Sequence, residues 1–80
     1  MPGLNHSFFY LAFRDDERGQ TVPALQPTQA ASQEEAVRRA KELENSSVGV
    51  VAWVRHAEPS VGELGPPVII YRAGRIGDFD

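Results

Sequence analysis

His56 and Glu58 sit at the end of an apolar run, where a strand hands over to a loop and functional groups are commonly displayed. An imidazole near a carboxylate is the pairing that general acid/base chemistry uses. His6 and Ser7 precede a second apolar run. Two histidines, no cysteine and no nucleophile at a recognisable spacing from a base do not make a catalytic set, so no catalytic residue is assigned and both histidines are expected in polar loops. Asp15, Asp16 and Glu17, or Asp78 and Asp80, could touch a hard cation, yet neither group has the alternating oxygen ligands, central glycine and terminal glutamate of a calcium loop. They read as solvated turn and terminus charges. Gly62 with Gly65 and Gly74 with Gly77 are too closely spaced for a phosphate-binding loop, and no helix follows either pair. Turn geometry accounts for them. No cofactor and no metal ligand is therefore assigned.

Composition narrows the classes further. Eighty residues make one domain, 1–80, near the size at which a single core only just offsets the entropy of ordering the chain. Without cysteine, neither a disulfide nor a thiolate metal site can supplement that core. An apolar fraction of 41% with 24% charged residues is that of a globular domain. A net charge of -3, with eight basic residues scattered along the chain, lacks the footprint by which duplex-DNA binders gain affinity. Residues 1–6 have no basic region, and the apolar run Phe8 to Phe13 is too short for a signal core or a membrane span. The expected location is cytoplasmic, with no membrane partner.

The elements that position these groups start with a helix from Ser32 to Asn45. Ser32 followed by Glu35 forms a capping box: the hydroxyl accepts from a first-turn amide and the glutamate reaches back to the cap amide. Glu34 and Glu35 oppose the positive end of the helix dipole and stand four residues before Arg38 and Arg39. Ala36, Val37, Ala40 and Leu43 form the apolar stripe, and its alanines let the axis approach the layer below.

Around the helix lie strand-like runs. Ser7 to Arg14 alternates Phe9, Leu11 and Phe13 with Phe8, Tyr10 and Ala12, and the cluster from Asp15 to Gly19 reads as a turn. Gln20 to Leu25 returns as an edge strand, because Pro23 has no amide to donate, and Gln26 to Ala31 is an irregular approach to the helix. Val48 to Arg55 is apolar on both faces and reads as a central strand. Ala57 to Pro67 is a Pro/Gly-rich loop, Val68 to Arg72 a strand, and Ala73-Gly74 a candidate hairpin turn into a short terminal strand with Ile76 and Phe79. The fold class is α+β: two layers, one helix on a mainly antiparallel sheet of three to five strands in the order β-β-α-β-β.

One helix covers one face of a sheet. With Phe9, Leu11, Phe13, Val48, Val50 and Val54 under it, Phe8, Tyr10, Val51, Trp53 and either Ile69 or Tyr71 are left opposite, more apolar area than a soluble monomer usually exposes. Three coverings compete. A second copy or other protein partner packs on the face; the loop Ala57 to Pro67 or the tail from Ile76 closes it; or Tyr10, Trp53 and Tyr71 stack a small flat ligand or single-stranded nucleic acid, with Arg55, Arg72 and Arg75 as local basic groups. The reading taken is a small non-enzymatic domain acting through protein contacts, a homodimer first, with Phe8, Tyr10, Val51, Trp53 and Tyr71 as the interface. An interface predicts that Trp53→Ala weakens assembly more than the fold. A closed monomer predicts a stability loss of about 3–5 kcal/mol instead.

The segments Ser32-Gln33-Glu34-Glu35-Ala36, Val48-Gly49-Val50-Val51 and Tyr71-Arg72-Ala73-Gly74-Arg75-Ile76 give the chain a resemblance to small uncharacterised bacterial α+β domains of unknown function. Those domains combine an N-terminal strand, a capped helix, a Gly-Val-Val strand and a terminal hairpin. The resemblance implies a bacterial source and that fold, and it implies no activity and no functional residues.

Overall fold

A computed structural model describes residues 6–58 and 63–77, with the side chains of residues 58, 63 and 64 outside that description. Among these residues the chain forms β1 (His6–Asp15), β2 (Thr21–Pro23), β3 (Thr28–Ala30), α1 (Gln33–Glu44), β4 (Gly49–Glu58), β5 (Glu63–Leu64) and β6 (Val68–Gly74). The α+β class and the single helix on an antiparallel sheet agree with the sequence pattern. The six strands occupy four lanes. β1 and β4 pair along their length in the middle, and each has an outer lane in two pieces. β2 pairs with residues 13–15 and β3 with residues 8–10 of β1. β6 pairs with residues 49–54 and β5 with residues 57–58 of β4. Proline breaks each outer lane, at Pro23 and Pro27 on one side and at Pro66 and Pro67 on the other, because it supplies no amide to a ladder.

Three segments differ from the sequence expectation. Residues 28–30, expected to be irregular, add a strand along the part of β1 that β2 leaves free. The expected loop from Ala57 starts as a continuation of β4, and the chain returns against it as β5, with the Gly65 amide donating to the His56 carbonyl at 2.7 Å. Residues 59–62 of that loop lie outside the described residues. Ala73-Gly74 is not a hairpin turn. At Gly74, where φ is +72°, the chain bends across the end of β4, and the Arg75 amide donates to the Val48 carbonyl at 2.9 Å. Ile76 belongs to no strand, and Phe79 lies outside the described residues.

The helix caps nearly as expected. Ser32 Oγ accepts from the Glu35 amide at 3.1 Å, while Glu35 Oε1 accepts from the Ala31 amide at 3.0 Å, one residue before the cap. Glu35 and Arg39 approach to 3.8 Å on the exposed flank, a pair worth about 0.3–0.5 kcal/mol. Ala36 and Ala40 are fully buried, with Val37 and Leu43 half-buried beside them.

The register decides what lies beneath the helix. Phe8 stands opposite Val54, Tyr10 opposite Ala52 and Ala12 opposite Val50, so the even-numbered residues of both central strands share one face. That face carries the helix: Ala12, Ala30, Val50 and Ala52 pack with Ala36 and Ala40, bordered by Phe8, Tyr10, Leu43, Ile70, Tyr71 and Ala73. The other face holds Leu11, Phe13, Val51 and Trp53, bordered by Phe9, Val48 and Ile76. The expected grouping of Phe9, Leu11 and Phe13 under the helix is thus reversed. A one-residue change of register moves every side chain of a strand to the opposite face, and both faces of β1 are apolar enough to accept either.

Candidate functional site

Of the five residues expected on the helix-free face, the structure places Val51 and Trp53 there and puts Phe8, Tyr10 and Tyr71 on the helix side. Tyr71 is tied to the helix itself. Its hydroxyl donates to Glu44 Oε1, and Lys41 Nζ lies 5.5 Å from the ring centroid, a cation–π contact. Tyr10, Trp53 and Tyr71 therefore do not form one stacking platform.

The helix-free face is closed within the chain. Leu11, Phe13 and Val51 have no solvent exposure and Trp53 keeps 3%, with Phe9 stacked on its indole at 5.6 Å. Among the described residues the tail is one part of the cover. Ile76 packs into this cluster, and the Gly77 backbone lies against Phe13 and the Thr21 carbonyl. Arg75 Nη2 pairs with Asp15 Oδ2 at 2.6 Å and fastens the tail to the end of β1. This half-exposed ion pair is worth about 0–1 kcal/mol, so apolar contact holds the strap.

The polar clusters have local partners. Asp16 Oδ1 accepts from the amides of Arg18 at 2.9 Å and Gln20 at 2.8 Å, building the turn between β1 and β2. Among the described residues no group of three or more histidine, aspartate or glutamate side chains could hold a metal ion. Asp78 and Asp80 lie outside the described residues. His56 stands within β4, not after it, and directly opposite His6 of β1. The Glu58 side chain lies outside the described ones.

Among the described residues the exposed large apolar side chains are Leu25, between β2 and β3, and two at the start of β6. Val68 is 48% and Ile69 42% exposed, on a seven-residue strand that pairs on one side with β4. A bulge opposite Ala52 and Trp53 turns both Ile70 and Tyr71 to the helix side. Val37 lies four residues before Lys41 and seven before Glu44, so it shares the helix flank that leans over Tyr71. The sequence carried one signal for this site: Val68-Ile69-Ile70-Tyr71 is the longest run of β-branched and aromatic residues after the helix without a small or charged residue.

The Tyr71–Glu44 contact has a pH signature. The hydrogen bond to Glu44, then burial and the carboxylate's charge, raise the Tyr71 phenol above the ordinary tyrosine value of about 10. A raised folded-state pKa means that this contact stabilises fully below the unfolded value and is lost as pH climbs through the folded one. Ultraviolet titration of phenolate should show a late phase that Tyr71→Phe removes and Glu44→Gln moves down. A titration unchanged by Glu44→Gln would contradict the contact.

No helix among the described residues is long and apolar enough to cross a membrane. No protein-family model matches the sequence, and neither a curated protein nor a solved structure matches it.

Proposed function

We propose that the chain is a non-enzymatic protein-interaction domain that associates with a second copy of itself through the edge of β6 that no other described strand pairs with. Strand β6 of each copy runs antiparallel to the other and extends the sheet across a two-fold axis.

The observation that supports this reading is the contrast between the two sheet margins. Beyond β1, the margin is cut into two three-residue strands separated by proline, the form in which proteins blunt an edge. Beyond β4, β6 runs seven residues, opens on four consecutive apolar residues and leaves Val68 and Ile69 to solvent. A seven-residue strand that opens on an exposed apolar run is a template for pairing, and the same pairing in a second copy closes it by symmetry. This keeps self-association as the role and moves the contact from the buried helix-free face to the edge.

Sedimentation equilibrium should give a mass rising with concentration towards twice the 8.8 kDa chain. Ile69→Lys should hold the chain at the monomer mass with its circular dichroism unchanged, since Ile69 is exposed and a lysine there charges the edge. A wild-type chain that is monomeric at every concentration, or an Ile69→Lys chain that still dimerises, would contradict the proposal.

A further inference from the structure

The chain has two histidines, fifty residues apart in sequence, and the fold sets them side by side. His6 of β1 and His56 of β4 are direct cross-strand partners, both exposed, with ring centroids 4.5 Å apart and planes at 79°. We propose that His6 and His56 form a bidentate site for a borderline divalent metal ion of the copper, nickel and zinc class.

The spacing supports this. An imidazole nitrogen binds such a metal at about 2.0–2.1 Å along a line through the ring, which puts each centroid about 3.2 Å from the ion. Two rings at a right angle about the ion then have centroids about 4.5 Å apart, and at a tetrahedral angle about 5.2 Å. The observed separation matches the right-angled arrangement, the one that square-planar and octahedral ions impose on neighbouring ligands. The present edge-to-face contact becomes a chelate by rotation of two exposed rings, with the Cα positions already fixed by the pairing of the central strands.

The donors also set the selectivity. Two neutral imidazoles and no thiolate favour copper(II), then nickel(II) and zinc(II), over magnesium and calcium, which require oxygen ligands. Among the described residues no third metal-binding side chain is grouped with them. The site spans the two central strands, and its test reads metal binding and not molar mass, so its failure and that of self-association are distinguishable.

Calorimetric titration of the untagged chain with nickel(II) or zinc(II) chloride tests this. One ion per chain is expected, with affinity falling on the order of a hundredfold in His6→Asn and in His56→Asn, because either change removes the chelate. Nickel(II) should broaden amide resonances of residues 6–8 and 54–56 first, and zinc(II) should raise the melting temperature of the wild-type chain but of neither variant. Equal affinity in wild type and variants, broadening centred elsewhere, or magnesium competing at matched concentration would overturn the site.

Discussion

Replacing Gly49 by alanine is expected to lift the C-terminal strap off the sheet and lower the unfolding free energy by about 3–5 kcal/mol, the cost of re-exposing two or so large apolar side chains. The chain bends at Gly74 and crosses beneath β4 so closely that a Cβ on residue 49 would stand 1.7 Å from the Arg75 carbonyl oxygen and 2.7 Å from its nitrogen. Both are backbone atoms, so no side-chain rotation relieves the clash. The Arg75 amide then loses the Val48 carbonyl, and Ile76 leaves the cluster around Phe13 and Trp53. A core of this size rarely supplies more than about 3–5 kcal/mol, so most of the chain should be unfolded at room temperature. Circular dichroism and a urea titration report the loss. A Gly49→Ala protein with the wild-type midpoint would mean that the tail does not cross beneath β4.

Trp53→Ala should have a comparable cost, about 3–5 kcal/mol, and should act on stability alone. The indole is 3% exposed, stacked on Phe9 and surrounded by Leu11, Phe13 and Val51, so its removal opens a cavity within one chain. Trp53→Phe keeps an aromatic stack and should fold with a smaller loss, which allows assembly to be measured in a folded variant. Its mass against concentration should follow the wild type. A folded Trp53→Phe protein whose association is weakened while its urea midpoint holds would return the interface to the helix-free face.

The helix, its serine cap and the two long strands were legible in the sequence because each has a local cause: a capping box, an alanine stripe, an alternating apolar run. Which face of β1 the helix covers was not, since Phe8 and Tyr10 compete with Phe9, Leu11 and Phe13 on hydrophobicity alone. Size was the signal that could have decided it. A helix that presents Ala36 and Ala40 needs small residues beneath, and Ala12 and Ala52 share a face once Tyr10 is set opposite Ala52. Strand β3 is three residues long, too short for alternation to mark it. The strap depends on what Gly49 lacks, a contact between residues far apart in the chain. The His6–His56 pair is a product of register, and the exposure of β6 follows from its place at the end of a lane; neither is written in local pattern.

The most direct test of self-association at β6 is amide hydrogen exchange followed residue by residue at low and high protein concentration. An added strand protects the backbone groups it pairs with, so raising the concentration should slow exchange within residues 68–74 and leave residues 21–23 and 28–30 of the opposite margin unchanged. Exchange that is independent of concentration, or protection gained at the opposite margin instead, would contradict the account.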